Sequence, residues 1–173
     1  ALVLNRTGVN VGKLRLTAKE KVGVLTLEGA IMDSRQIIEE LSEMVRDKSV
    51  KAIVLRVDSP GGSVGPSQEI YKEVLRAREK KPVVVSMGGL AASGGYYVAS
   101  AASKIVASPG TVTGSIGVIT QFVNLEGLMS KIGVQLEVVK MGEYKDMGSP
   151  HRALTEKERE MISTLIQDIH QQF

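Results

Sequence analysis

The chain has 173 residues, enough to bury a hydrophobic core, and we expect a single domain over residues 1–173. It has no cysteine and only two histidines, which excludes disulfides, thiolate zinc sites, cysteine nucleophiles and a multi-histidine metal site; no cofactor is expected. Acids and bases are interspersed and the net charge is only +3, so nucleic acid is not expected as a partner.

Apolar runs and helical periods alternate along the chain. Strands are predicted over residues 22–27, 52–57, 83–86, 104–107, 117–120 and 135–140. Helices are predicted from Asp33 or Ser34 to about residue 45, over 67–80, from about Ser93, over 125–132, and from the Thr155-x-x-Glu158 capping box onward. Because nearly continuous apolar strands alternate with helices, the sequence predicts an α/β fold with a mostly parallel sheet. Ligands of such folds bind beyond the carboxyl ends of the strands.

Both ends of the chain suggest a piece of a longer protein. The chain opens on Ala1 rather than Met, and its last helical pattern is unfinished at Phe173. No apolar run approaches the roughly 20 residues that a membrane-spanning helix needs. We expect targeting or anchoring segments, where the cellular protein has them, to lie outside this sequence.

Ser93 is the first candidate for chemistry. It follows a predicted strand directly, in the small-residue run Ala91-Ala92-Ser93-Gly94-Gly95. A serine on a tight turn between a strand and a helix is well placed as a nucleophile, and the glycines beside it let a ligand approach the backbone. The alternative is a serine that only caps the helix.

Lys145 is the second candidate and lies in the polar, glycine-punctuated loop 141–150. A lysine can replace histidine as the base for a serine where burial favours the neutral amine, and otherwise it is a solvated loop residue. Asp146 beside it would oppose the loss of charge if its carboxylate pointed the same way. Ser115, in the Gly114–Gly117 turn, could orient the lysine or could be a turn hydroxyl bonded to its own backbone.

Two further features bear on a serine nucleophile. Gly61-Gly62 follows a predicted strand, and a glycine amide there could stabilise a substrate oxyanion, although a plain turn is the commoner use. His151 lies close after Lys145 in the chain, so a triad of Ser93, His151 and either Asp58 or Asp146 stays an open alternative.

Four stretches occur together in the order found in one peptidase family. They are Asp58-Ser59-Pro60-Gly61-Gly62, the run from Ser86 to Tyr97 that ends in Ala-Ser-Gly-Gly-Tyr-Tyr, Thr113-Gly114-Ser115-Ile116-Gly117-Val118, and the Lys145-Asp146 loop with Ser149-Pro150. On these residues the chain, over roughly 22–173, resembles the signal peptide peptidase A family of serine–lysine peptidases. The resemblance implies a crotonase/Clp-protease-like fold of repeated strand–strand–helix units with a mostly parallel sheet.

The resemblance implies a role for each matching residue. Ser93 corresponds to the nucleophile, Lys145 to the general base, and Ser115 to the serine that orients this lysine. The backbone amides of Gly62 and Ser93 correspond to the oxyanion hole. The implied reaction is hydrolysis of remnant signal peptides, or other unstructured apolar peptides, through an acyl-enzyme.

The resemblance also implies a setting for the reaction. The family is anchored by an N-terminal membrane segment, and its catalytic domain is extracytoplasmic. Its short forms assemble as homo-oligomeric rings in which the serine of one subunit meets the lysine of its neighbour. We expect the anchor, and the C-terminal segment that follows the last helix in the family, to lie outside this sequence.

Three alternatives to this function stay open. One is another protease of the same clan, of the phage capsid-maturation or stomatin-cleaving type. Another is a crotonase-like acyl-CoA enzyme, which shares the glycine-amide oxyanion hole and generally relies on a carboxylate. The last is a non-catalytic member used for assembly.

Overall fold

The computed structural model of the protein describes residues 3–4 and 20–173. The strands are β1 (Val3–Leu4), β2 (Lys21–Glu28), β3 (Val50–Ser59), β4 (Val83–Ala92), β5 (Lys104–Val106) and β6 (Val112–Gly114). The helices are α1 (Arg35–Arg46), α2 (Val64–Arg78), α3 (Gly94–Ser100), α4 (Glu126–Lys131) and α5 (Glu156–Gln172).

All the strand pairs of the sheet are parallel, in the order β1-β2-β3-β4-β5, and β6 pairs with the carboxyl-terminal part of β4. Parallel neighbours need crossover connections, and α1 and α2 supply them between β2, β3 and β4. From β2 to α3 single strands alternate with helices, and β5 and β6 follow one another before α4.

Contacts divide the chain into two compact units, Ala1–Ile116 and Gly117–Phe173. The sequence predicted one domain, and the domain count stays a prediction. The first unit contains the sheet and helices α1 to α3, and the second contains α4 and α5.

The hydrophobic core of the first unit is aliphatic. Its fully buried side chains come from the central strands and from the inward faces of the helices: Leu25, Leu41, Ile53, Leu55, Val57, Ile70, Val74, Val83, Val85 and Val98. Because β3 and β4 bury alternate residues deeply, their ends are held firmly in place. Gly61-Gly62 and Ser93, two of the candidate functional stretches, follow these two ends.

β4 is longer than the predicted strand over 83–86. The small residues after Met87 favour a turn on propensity alone, but two partners extend the strand. Ser59 of β3 pairs with Ala91, and β6 pairs with Leu90 to Ala92. The extension brings β4 directly up to Ser93.

Two predicted strands are absent from the structure. Residues 117–120 and 135–140 are described throughout and lie in no strand. Their apolar side chains are largely exposed, with Ile119 at 78% and Val139 at 95%. β-branched residues favour extended backbone, but a strand also needs a neighbour to take its hydrogen bonds.

The helix starts follow the predicted chemistry in part. The capping box at Thr155 and Glu158 is formed, with the side chain of each residue bonded to the backbone of the other. At α1, Asp33 Oδ1 accepts from the Arg35 N–H at 2.8 Å, whereas the hydroxyl of Ser34 donates to Glu69 on α2. Asp33 therefore satisfies the first N–H of α1, while Ser34 is the N-cap residue and makes no capping bond with its side chain.

None of the helices in the described residues is long and apolar enough to cross a bilayer.

Candidate active site

Ser93 occupies a strained turn between β4 and α3. Its backbone has φ 51° and ψ −126°, and the residue is half-buried. A positive φ is unfavourable for a residue with a side chain, so the surrounding structure must hold it in place. Such strand–turn–helix geometry projects a serine hydroxyl out of the backbone at the carboxyl end of a strand.

Close packing behind the turn explains its glycines. A Cβ at residue 61 would lie 2.5 Å from the Gly94 nitrogen and 2.8 Å from the Ser93 Cβ, and Gly61 itself has φ +91°. A Cβ on Gly94 would meet Ser67 of α2, and one on Gly95 would meet Ser59. These positions therefore require glycine for the turn to close.

Ser59 connects this packing to the sheet. It is fully buried, and its hydroxyl donates to the Gly29 carbonyl at 2.6 Å and accepts from the Gly61 N–H at 3.1 Å. Ser59 was not predicted to have a role of its own, since a single serine at the end of a strand carries no distinctive signal. In the structure it fixes the Gly61 loop against β2.

Ser115 lies in the position on β6 that corresponds to Ser93 on β4. Ala92 and Gly114 are register partners, and each is followed by a serine with positive φ, 51° at Ser93 and 53° at Ser115. The Ser93 N–H donates to the Gly114 carbonyl at 2.8 Å. The backbone therefore brings Ser93 and Ser115 to the same end of the sheet.

This hydrogen bond changes the expected oxyanion hole. The resemblance assigned the Ser93 amide to it, but that N–H is bonded to the Gly114 carbonyl. An amide with this partner would have to give up a hydrogen bond before it could stabilise an oxyanion.

The Gly62 amide, unlike that of Ser93, is not used in the backbone pairing around it. Gly62 forms a parallel bridge with Ile31, in which Ile31 bonds to the Gly61 carbonyl at 2.9 Å and to the Ser63 N–H at 2.8 Å. In a parallel bridge of this kind the amide of the middle residue points away from the partner strand. A Cβ at residue 62 would lie 2.3 Å from the Ile31 oxygen, so only glycine fits.

Asp58 has a local structural role. Its Oδ1 accepts from the Leu90 N–H at 3.1 Å where the register of β3 and β4 shifts, and Gly88 leaves room for the carboxylate. This carboxylate stabilises the irregular part of β4 that leads to Ser93.

Lys145 belongs to the second unit, where it is exposed in a series of turns. The Lys145 N–H donates to the Gly142 carbonyl, the Met147 N–H to Tyr144, and the Ser149 N–H to Asp146. Gly142, at φ +103°, supplies the positive backbone angle that opens these turns.

Arg152 joins two acids on either side of it in the chain. Its guanidinium donates to both oxygens of Asp146, at 2.8 and 2.9 Å, and to both oxygens of Glu158, at 2.5 and 2.8 Å. Lys140 also donates to Asp146.

These contacts lower the pKa values of both acids. Hydrogen bonds from Arg152 and Lys140 hold the pKa of Asp146 well below its usual value. The bonds from Arg152 and from the Thr155 backbone lower the pKa of Glu158 to about 2. Arg152 was not among the residues selected from the sequence, although both of its partners were: Asp146 beside Lys145, and Glu158 in the capping box.

His151 takes part in a different contact. It forms a hydrogen bond with Ser149, while the carboxylate of Asp146 binds Arg152 and Lys140. The His151–Asp146 pair that one form of the triad requires is therefore not formed. Within the described residues, no group of three or more acidic or histidine side chains is arranged to hold a metal ion.

Two family models match overlapping parts of the chain. The model for Clp protease matches residues 15–113, and the model for peptidase family S49 matches residues 76–173. The first match, with the parallel sheet, shows an α/β Clp-protease-like fold and confirms that prediction. The second covers more than half of the chain and includes Ser93, Ser115 and Lys145. The chain belongs to peptidase family S49, the signal peptide peptidase A family, as the resemblance predicted.

Curated relatives are similar over most of this chain. A protease-named protein of Synechocystis sp. is 41% identical over 160 residues, which cover 92% of this chain and 58% of that protein. Protease 4 of Salmonella typhi is 41% identical over 162 residues, covering 88% of this chain and 26% of its own. The chloroplastic serine protease SPPA of Arabidopsis thaliana is 40% identical over 152 residues, which cover 87% of this chain and 22% of that protein. The chain thus spans between 22% and 58% of the length of these relatives.

Proposed function

We propose that this chain is the catalytic part of a serine endopeptidase that uses Ser93 and Lys145 as a dyad. The observation that carries the proposal is the Ser93 turn, in which a residue other than glycine is held at φ 51° at the end of a buried strand. Strain of this kind persists where a side chain must be aimed at a substrate. Membership of a peptidase family supplies the class of reaction.

In the proposed reaction, Lys145 removes the proton from the Ser93 hydroxyl as its oxygen attacks the carbonyl carbon of the scissile peptide bond. The lysine then passes this proton to the leaving amine, which leaves an acyl-enzyme on Ser93. Water, deprotonated by the same lysine, then attacks the ester carbonyl; the bond to the Ser93 oxygen breaks, the lysine returns the proton to that oxygen, and the acid product is released. The Ser115 hydroxyl accepts a hydrogen bond from Lys145 and orients it.

The proposed oxyanion hole pairs the amide of Gly62 with that of Gly94. Gly94 replaces Ser93 in this role because the Ser93 N–H is bonded to Gly114. The residue after the nucleophile is the usual donor in a strand–turn–helix site. Loss of one such donor costs about 3–4 kcal/mol of transition-state stabilisation.

The proposed site is shared between subunits of a ring. A lysine base has to be shielded from water to be neutral at neutral pH, and Lys145 is exposed in the single chain. A neighbouring copy would supply that shielding. Large apolar side chains of the second unit are exposed as well, including Phe122 and Met141, and a subunit interface would cover them.

The proposed substrates are remnant signal peptides or other unstructured apolar peptides. An extended peptide can pair with an exposed strand edge and place its apolar side chains in small pockets. We further propose that the full-length protein is associated with a membrane and that its catalytic domain is extracytoplasmic. These proposals rest on the family resemblance. The chain spans only part of the length of its relatives, so it does not itself show the substrate or the location of the whole protein.

The test is the intact mass of the protein after incubation with a serine-reactive fluorophosphonate. We expect one adduct on the wild type, none on Ser93→Ala, and an adduct that forms more slowly by at least about a hundredfold on Lys145→Ala. Ser103→Ala, which removes a serine outside the proposed site, is the control and should label like the wild type.

Other results would count against the proposal. An adduct that persists on Ser93→Ala would place the nucleophile elsewhere. If an assembled wild type forms no adduct but binds a CoA thioester, the acyl-CoA alternative is favoured. If it does neither, a non-catalytic assembly role is favoured.

A further inference from the structure

The loop that carries Lys145 is held by contacts on both sides of the lysine. Before the loop, the Lys140 ammonium donates to the Glu143 carbonyl at 2.9 Å and to the Asp146 carboxylate. After the loop, the Arg152 guanidinium donates two parallel hydrogen bonds to the same carboxylate. A bidentate arginine–carboxylate pair fixes orientation as well as distance.

Arg152 is itself fixed by a buried acid. Glu158 is 2% exposed, it caps the start of α5, and it receives the other edge of the guanidinium. Of residues 117–173, all of which are described, Glu158 is the one that is buried. The arginine therefore connects the loop to the best-anchored point of this unit.

The acids that flank Lys145 both have other cations as partners. Glu143 pairs with Lys157 of α5 at 3.2 Å, and Asp146 pairs with Lys140 and Arg152. An unpaired carboxylate next to Lys145 would attract the ammonium form and draw it away from a serine. The sequence raised this problem for Asp146, and the structure resolves it through Arg152 and Lys140.

We propose that Arg152 is a positioning residue for the reaction, and that it acts by holding Asp146 and the loop so that Lys145 is presented to Ser93. This inference rests on the proposed function. Arg152 touches neither the substrate nor the reacting atoms. Its effect on the reaction passes entirely through Lys145.

The experiment measures the rate at which Ser93 is acylated by the fluorophosphonate, together with the KM for a peptide substrate. The variants are Arg152→Gln, Asp146→Asn and the pair combined, each made also in the Lys145→Ala background. Asp146→Asn leaves the Arg152–Glu158 pair intact, so it remains informative if Arg152→Gln does not fold. Arg159→Gln is the matched control, since Arg159 is an exposed arginine on α5, next to Glu158 in the chain.

We expect Arg152→Gln and Asp146→Asn each to slow acylation about ten- to a hundredfold, because a small misplacement of a reacting group is costly. The combined variant should be no slower than the slower single variant, since both act through one contact. KM should change little, and neither change should slow acylation further once Lys145 is alanine. Arg159→Gln should react like the wild type.

Two results would overturn the inference: wild-type acylation rates in both single variants, or an equal slowing in the Lys145→Ala background. Failure of the proposed function looks different, because the wild type then forms no adduct or Lys145→Ala labels as fast as the wild type. In that event amide hydrogen exchange of residues 141–148 decides whether Arg152 holds the loop. Faster exchange in Asp146→Asn than in Arg159→Gln supports the contact, and unchanged exchange refutes it.

Discussion

At the scale of single residues, the site depends on how closely the backbone around Ser93 is packed. The strained φ of Ser93 is maintained by the Gly114 carbonyl on one side and by Gly61 on the other. Neither contact involves the hydroxyl of Ser93. The hydroxyl therefore takes no part in holding the strained backbone, and in the proposed reaction it is the attacking group.

Replacing Gly61 tests this arrangement. In Gly61→Ala the new Cβ would meet the Gly94 nitrogen at 2.5 Å, and φ +91° is unfavourable for alanine. We expect a loss of at least about 1–2 kcal/mol in the free energy of unfolding, measured by urea denaturation, and slower acylation of Ser93. Gly65→Ala is the matched control: residue 65 is helical, nothing lies within 4 Å of its Cβ, and the change should stabilise by about 0.5–1 kcal/mol. Equal stability of the two variants would show that the close approach does not matter.

At the scale of elements, the sequence predicts what local patterns determine. The strands β2, β3 and the start of β4, the last helix and its capping box are visible as periodicity and cap residues. The end of β4 is not, because four of its last five residues, Gly88, Gly89, Ala91 and Ala92, are small, and their extended backbone depends on β6 and on Ser59. The prediction for residues 135–140 is wrong in the opposite direction: their apolar side chains favour a strand, but these residues pair with no neighbouring strand.

The same distinction applies to the candidate site. Ser93, Ser115 and Gly62 could be selected because small residues in a strand–turn–helix context are distinctive. The bond from the Ser93 amide to Gly114 could not, because it depends on a pairing between strands that are remote in sequence. Arg152 could not be found for a similar reason, since its two carboxylate partners come together only when the loop and α5 are folded.

The start of α5 carries a prediction about pH. Hydrogen bonds from Arg152 and from the Thr155 backbone lower the pKa of Glu158 to about 2, from 4.5 for a free glutamate. Because the folded state holds the carboxylate more strongly than the unfolded state does, this contribution is complete above pH 4.5 and is lost as the pH falls towards 2. We expect helical circular dichroism of the wild type to decline over this interval.

Glu158→Gln should remove that dependence, because an amide does not titrate. The variant should be less stable than the wild type at pH 7 and lose less of its stability between pH 5 and 2. Glu156→Gln changes an exposed acid in the same helical turn and should retain the wild-type acid transition. An acid transition in Glu158→Gln identical to that of the wild type would mean that this carboxylate does not stabilise α5.

At the scale of the whole molecule, the two units differ in how they bury apolar residues. The first unit has an extensive aliphatic core, whereas the second leaves many large apolar side chains exposed, including Phe122, Val123, Val139 and Met141. Exposed apolar residues in such number are typical of surfaces that other molecules cover. In the proposed ring, neighbouring subunits cover them and also shield Lys145 from water.

A site shared between subunits makes a prediction that a site within one chain does not. Ser93→Ala and Lys145→Ala should each be inactive alone, but mixed rings contain interfaces that carry one intact serine and one intact lysine. With equal amounts and random exchange, about a quarter of the interfaces in a closed ring are complete, so peptidase activity should recover towards that fraction. Native mass spectrometry of isotope-labelled subunits verifies the exchange. If verified mixed rings stay inactive, the serine and lysine act within one chain, and the shielding of Lys145 must then come from the bound substrate or from the chain itself.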